Sequence, residues 1–301
     1  MKKLLYILII ASFASCDYVE NPIPEQSEMD WSLYPNDTAD IPYPWPTWTS
    51  NTNTEQNILL EDYTGHRCTN CPAAAVIAKG LEDANNGRVI VSSVHASTDG
   101  NFQSVVPPEF ITDFQTTAGT AYANEMPSFI GNPMGTINRK LGGVLGSTWF
   151  FSSSWITEVN NCLASGTLKA NLQVKYNYFP ETNGLFVHTE TEFISNQTGD
   201  FNLIIYLIRD TVIAPQEMNT GSTDHHYHHH AVLSDNINGT WGTFIKTDAL
   251  AGDKFYNDYT YQITDPSVDS TFAVDNLSLI TYVCERNSYE ILQVIKTKLN
   301  P

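Results

Sequence analysis

Apolar residues are spaced in mixed intervals up to about residue 166 and fall mostly at every second position afterwards, so two kinds of structure follow one another. Ile58-Leu59-Leu60 opens a strand-like run through Thr64, and small residues from Pro72 to Ala78 then read as a helix. Asn86-Gly87 marks a helix-ending turn, and Arg88 to His95 is a β-branched run of strand length. Strand, helix and strand over so short a span predict a parallel pair with a right-handed crossover. Residues 96–130 carry a weaker pattern, with a helix predicted near Ile111 to Asn124. Pro133 precedes another short strand ending near Arg139. Trp149, Phe150, Trp155, Ile156, Val159 and Leu163 then fit one face of a helix from Thr148 to Ala164.

From about Thr167 the texture alternates. Leu172 to Tyr176, Leu185 to Glu190, Leu203 to Ile208, Phe255 to Ile263, Leu277 to Cys284 and Tyr289 to Ile295 all read as strands, the last two joined by a turn at Glu285-Arg286-Asn287-Ser288. Several short strands with turn signals between them predict an antiparallel β-sandwich. The fold class is therefore α/β plus all-β, with an α/β domain at 57–166 and a β-sandwich domain at 167–301.

The N-terminus changes the picture. Lys2 and Lys3, an apolar core from Leu4 to Ala11, and Phe13-Ala14-Ser15-Cys16 read as an export leader over residues 1–16, too short for a membrane span. Small residues ending in Cys resemble a lipobox, with Phe13 where Leu is usual; Cys16 is then the lipid anchor. The rival is an ordinary signal peptide with an incidental Cys. Residues 17–56 form an acidic tether with eight acids and no Lys or Arg. Within it Ile41 to Trp48 alternates proline with aromatics, which favours an extended chain that packs on its own domain or enters a partner's groove.

Loss of Lys2 and Lys3 with the leader takes the basic residues from 15 to 13 against 33 acids, moving the net charge from −18 to −20. That excludes nucleic acid and anionic membrane surfaces as partners.

Candidate chemistry sits at the first strand-to-helix junction. Cys68-Thr69-Asn70-Cys71 places two thiols about one helical turn apart at a helix start, where unpaired N–H groups and the helix dipole stabilise a thiolate. His66 and Arg67 add positive charge beside it. Cys68 is the candidate nucleophile and Cys71 the resolving thiol, against a purely structural disulfide. No second Cys-x-x-Cys exists to complete a four-cysteine zinc site. Cys162 and Cys284 read either as a bridge or, being in different domains, as two separately buried thiols. Asp224 to His230 holds five of the eight histidines, on a predicted loop leading into a strand. Neutral imidazoles there, His228 and His230 foremost, can capture a transition metal, adventitiously in the manner of an affinity tag. No cofactor is required. Phosphate-loop, nucleophile-elbow and His-Glu-x-x-His motifs are absent.

These residues together resemble the outer-membrane protein 28 family of Bacteroidetes lipoproteins. The resemblance rests on Cys16, on Leu60 to Pro72 with its Cys-x-x-Cys-Pro, on Pro133 to Arg139, and on Tyr227 to Leu233 with Trp241-Gly242. It implies a thioredoxin-like domain followed by an immunoglobulin-like antiparallel β-sandwich, in an outer-membrane, lipid-anchored protein facing the periplasm or the cell surface. It also implies a cis-proline opposite the cysteines, with Pro133 the first candidate and Pro127 the second. Arg67 stands where thioredoxins carry Trp.

The expectation is a surface lipoprotein capable of thiol–disulfide exchange, with protein thiols and disulfides or other outer-membrane proteins as partners. The alternative is a non-enzymatic binding or adhesion module, or an accessory subunit of an outer-membrane complex, in which Cys68–Cys71 is a staple.

Overall fold

The computed structural model describes residues 29–38 and 40–300. The leader, Cys16 and the first part of the tether lie outside the described residues.

β1 (Ile58–Thr64) and β2 (Val89–His95) pair in parallel, with Ile58 opposite Val89 and Thr64 opposite His95. α1 (Cys71–Ala84) makes the crossover. Pro72 sits in its first turn, where a missing N–H costs no helical bond. Cys71, Ala74, Ala78 and Leu81 form the buried stripe, and its small side chains let the helix lie close to the sheet. β3 (Met134–Ile137) pairs antiparallel with β1, and β4 (Trp149–Phe151) pairs antiparallel with β3. α3 (Trp155–Ser165) packs beside α1 and against β1 and β3. α2 (Thr117–Glu125), started by Thr116 accepting from the Gly119 N–H, lies on the other face.

Eight more strands follow: β5 (Ala170–Phe179), β6 (Gly184–Phe193), β7 (Gln197–Glu217), β8 (Thr223–Asn236), β9 (Thr243–Ala249), β10 (Lys254–Gln262), β11 (Leu277–Glu285) and β12 (Ile291–Lys298). β10, β6 and β5 make a three-stranded sheet. The others join the first four strands in a nine-stranded sheet ordered β12-β11-β7-β8-β2-β1-β3-β4, with β9 also on β7. The protein is thus mixed α/β, predominantly β, in two sheets. The larger sheet runs across the expected boundary at residue 166, because β8 pairs in parallel with β2 at Val232 and Ser93.

β7 makes this possible. It is 21 residues long, and it faces two cores in alternation. Leu203, Ile205 and Leu207 point into a core shared with the small sheet, while Ile204, Tyr206 and Ile208 point into the core of the α/β unit. β11 does the same with Leu277, Leu279 and Val283 on one side and Ile280, Tyr282 and Cys284 on the other. A strand buried on both faces reads as a continuous apolar run, which is what residues 203–208 are.

Three local expectations are corrected. The helix predicted from Thr148 begins at Trp155, since Trp149 to Phe151 pair with the open edge of β3. The helix predicted from Ile111 begins at Thr117. The histidine cluster lies inside β8, hydrogen-bonded along β7, and not on a loop. Histidine supplies no apolar alternation, so the strand left no period in the sequence.

The described part of the tether packs on the outer face of the small sheet, where Leu33, Tyr34 and Tyr43 cluster with Phe186. The Tyr43 hydroxyl donates to His188 Nε2 (2.7 Å), and His188 Nδ1 donates to Asp258 (2.6 Å).

A buried ion pair links β1 and the turn after β3 to β7 and β11, the two strands that face both cores. Arg139 donates through Nε and Nη2 to both carboxylate oxygens of Glu61, each at 2.8 Å, and both side chains are fully buried. Thr136 (2.7 Å) and Tyr206 (2.8 Å) also donate to Glu61, and Tyr282 donates to Tyr206 (2.8 Å). The guanidinium lies 4.3 Å from the Tyr122 ring centre. Burial alone pushes the Glu61 carboxyl up, but Arg139 and these hydrogen bonds outweigh it and hold it below its ordinary value. We expect Arg139→Met to destabilise the protein by about 3–5 kcal/mol in urea unfolding, because it strands a buried carboxylate. Glu61→Leu with Arg139→Met is expected to recover most of that loss, as the double change removes both charges.

Candidate functional site

Cys68 and Cys71 are joined by a disulfide with Cα atoms 5.4 Å apart, at the start of α1. Both are buried, at 2% and 1% exposure. Two segments close over them. The Arg67 N–H donates to Phe102 O (3.0 Å), and a Cβ on Gly65 would stand 2.6 Å from that same oxygen, so the loop at 100–104 packs on the segment that leads into the cysteines. From the other side the end of β7 reaches in. Gln216 Nε2 donates to the carbonyl of Cys68 (3.1 Å), and the Glu217 N–H donates to His66 O (2.8 Å). Arg67 spans the two segments, donating to Glu217 (3.3 Å) and to Ser104 Oγ (2.8 Å).

The cationic surroundings expected from His66 and Arg67 are therefore different in kind. His66 is buried, with Nε2 donating to Ser104 O (3.0 Å), and burial lowers its pKa, which favours the neutral ring. Arg67 is held in an ion pair with Glu217.

Behind the disulfide lies a cavity of about 40 Å³ bounded by α1, β1, β2 and β8. Cys71 lines it, and so does Asp62. Successive residues of a strand face opposite ways, so Glu61 meets Arg139 on one face of β1 while Asp62 faces α1 on the other. Asp62 is 1% exposed, and neither carboxyl oxygen has a hydrogen-bond partner on the protein. Desolvation pushes its pKa up to about 7. His95 and His229 line the same cavity. Burial pushes His95 well down and takes His229 to about 4, which leaves both rings neutral near pH 7. Their ring centres are 5.4 Å apart, and the Phe114 ring stacks on His95 at 4.4 Å.

The Asn132–Pro133 peptide is cis, as is Pro107–Pro108, whereas Met126–Pro127 is trans. Pro133 directly precedes β3. Its neighbour Asn132 accepts from Gln103 Nε2 (3.2 Å), which also donates to Thr64 O (2.6 Å), so this segment is tied to the end of β1 just before the cysteine loop. His228 and His230 are exposed on one face of β8 with ring centres 6.2 Å apart. Among the described residues no group of three or more His, Cys, Asp or Glu side chains is placed to hold a metal ion. Cys162 and Cys284 are free thiols, the first half-buried and the second buried.

Asp62, His95 and Gln216 were not singled out from the sequence, and His229 only as one member of the histidine cluster. The one signal for Asp62 is its place: two acids, Glu61 and Asp62, interrupt an apolar run that must be covered on both sides.

A family profile described as outer membrane protein Omp28 matches residues 121–301. No curated protein sequence matches the chain. Among solved structures, HBP35 of Porphyromonas gingivalis is similar with a TM-score of 0.59 and 15% identity, over 83% of this chain and 77% of that one. A structural-genomics protein from Agrobacterium tumefaciens gives 0.51 and 10%, over 83% and 97%. A domain of the outer membrane lipoprotein Omp28 from Porphyromonas gingivalis gives 0.30 and 20%, over 44% and 89%. The first two are likenesses of fold. Among the described residues no helix is long and apolar enough to cross a membrane.

The raised Asp62 pKa makes the folded state bind a proton more tightly than the unfolded chain does. Its contribution therefore lowers stability progressively as pH rises from about 4, near the unfolded value, to about 7. The full effect is on the order of 4 kcal/mol. The buried neutral histidines act in the opposite direction below about pH 6.5, and they cancel in a difference between variants. We expect Asp62→Asn to gain stability relative to the wild type between pH 4 and 7 and to hold a constant advantage above that, in denaturant unfolding across the range. A difference that does not vary with pH contradicts the titration.

Proposed function

The chain belongs to the Omp28 family of outer-membrane proteins, and from that premise we propose that it performs thiol–disulfide exchange in the envelope, with Cys68 and Cys71 as the exchanging pair. The lipid anchor at Cys16 is part of the same proposal. β2-β1-β3-β4, with β1 and β2 parallel, β3 and β4 antiparallel, α1 and α3 on one face and α2 on the other, supports a thioredoxin-like unit. The small sheet packed on β7 and β11 supports a sandwich half that presents or receives partners.

The observation that carries the reading is Asp62. A disulfide that only staples a loop has no use for a buried carboxyl without hydrogen-bond partners in the cavity that Cys71 lines, and such a carboxyl costs stability increasingly as pH rises from about 4 to about 7. For a reaction that makes and consumes a thiolate at Cys71, a group exchanging protons near pH 7 is well matched.

The step runs as follows. The thiolate of a partner dithiol attacks Cys68 Sγ, the Cys68–Cys71 bond breaks, and Cys71 leaves as a thiolate that takes the Asp62 proton. The partner's second thiolate then attacks its own sulfur in the mixed disulfide and releases Cys68, which is protonated in turn. The partner ends as a disulfide and this pair as two thiols; the reverse direction oxidises a partner. Either direction requires the 100–104 loop or the end of β7 to move, since both sulfurs are covered in the closed form.

With Cys71→Ser the mixed disulfide has no resolving thiol. We expect this variant to accumulate disulfide-linked envelope proteins that dithiothreitol releases, and Cys68→Ser with Cys71→Ser to trap none. An empty trap would leave Cys68–Cys71 as a structural bond in a surface binding protein.

A further inference from the structure

Three tryptophans of the tether lie on the outer face of the small sheet, one on each of three successive rows of side chains. The rows follow from the pairing of β5, β6 and β10: Asn177, Phe186 and Thr260, then Lys175, His188 and Asp258, then Gln173, Glu190 and Tyr256. Trp31 packs on Phe186 with ring centres 5.9 Å apart, Trp45 on His188 at 5.4 Å, and Trp48 on Tyr256 at 5.9 Å. Rows two residues apart along a strand are separated by about 7 Å, so the sheet sets the spacing of the indoles. We propose that this ladder of rings is a binding site for an uncharged glycan chain laid along the outer face of the small sheet.

The rings are presented to solvent. Trp31 is 42% exposed and Trp45 53%, and Tyr256 beside Trp48 is 50% exposed. Exposed aromatics gathered in one place mark a binding surface, whereas single ones do not. They are also held still. Trp31 and Trp45 meet the buried Tyr43 ring edge-on at 5.4 and 5.0 Å, and the Lys175 ammonium lies 5.7 Å from the Trp48 ring centre. The tether backbone is pinned from β5, where Asn177 donates to Pro44 O (3.3 Å), Lys175 to Thr47 O and Gln173 to Thr49 O (2.8 Å). Rings fixed in advance lose little entropy when a ligand settles on them.

The polar groups among the rings decide the kind of ligand. Glu190 accepts from the Tyr256 hydroxyl (2.8 Å) and from Gln173 (2.7 Å), and Lys254 pairs with Glu192 (3.1 Å). Asp258 accepts from His188 and keeps 40% of its side chain exposed on β10, an edge strand of the small sheet. Lys175 and Lys254 thus stand among Asp30, Asp258, Glu190 and Glu192, and a face of mixed sign complements neither a cationic nor an anionic chain. The acids also oppose insertion of the indoles into an anionic lipid surface. A sugar ring has the matching pattern: its C–H face lies on an indole, and the hydroxyls at its rim donate to a carboxylate or accept from an amide. Such sites combine aromatic walls with a few placed polar groups, which is the composition of this face.

The test is affinity electrophoresis of the intact chain through gels that each hold one uncharged polysaccharide: dextran, laminarin, mannan or xyloglucan, with alginate as an anionic control. At least one uncharged gel is expected to retard the wild type. Trp45→Ala with Trp48→Ala is expected to weaken that binding by at least about tenfold in apparent Kd. Tyr256→Thr, at a half-exposed position of an edge strand where threonine is favoured, keeps the sheet and is expected to weaken it as well. No retardation in any uncharged gel, retardation that these substitutions leave unchanged, or retardation by alginate alone overturns the proposal. Binding to phosphatidylcholine vesicles through the same tryptophans, with no retardation in the gels, assigns the face to a membrane and overturns it too. Cys68→Ser with Cys71→Ser is expected to bind like the wild type, so this site and thiol exchange stand or fall separately.

Discussion

The buried pair of Glu61 and Arg139 is the constraint on which the rest of this structure depends. It joins β1 to the turn after β3, and through Tyr206 and Tyr282 it reaches the two strands that also form the second core. Two charges out of water are tolerable only with good geometry and further hydrogen bonds, and here the carboxylate receives four. Such a pair fixes register: a slip of one residue would turn Glu61 toward α1 and Asp62 toward Arg139.

That register sets the chemistry of the site. Glu61 and Asp62 are neighbours with the same functional group and opposite fates. One stays ionised because a guanidinium grips it, and the other is proton-active near neutrality because it has been desolvated without a partner. The difference arises from strand alternation alone. Only the second acid borders the cavity of Cys71, and the loop carrying the cysteines is held by hydrogen bonds from two other segments. The same contacts that seal the disulfide therefore decide when it can be reached.

Much of this architecture was legible in the chain. Ile58 to Thr64, the small-residue helix after Cys71 and the β-branched run at 89–95 follow directly from period and turn chemistry, and the later strands follow from alternation. The merging of sheets was not legible, since it depends on one bridge between Ser93 and Val232 and on the length of β7, most of whose second half carries no apolar period. The histidine strand was missed for a related reason: its order comes from pairing with β7, and His229 is buried beside exposed neighbours. Of the candidate site, the Cys68–Cys71 pair was readable from its motif, while Pro133 entered only through the family resemblance, and the Asn132–Pro133 bond is cis. Asp62, His95, His229 and Gln216 come from four different elements, and only the fold brings them together.

The central claim is that Cys68–Cys71 exchanges with partners and does not merely hold the loop. Equilibrating the intact chain with glutathione buffers of graded ratio, and counting the oxidised fraction, measures the potential of the pair directly. The account predicts a value in the range of exchange proteins, roughly −270 to −120 mV. A value below about −300 mV, in the range of structural bonds, would contradict it.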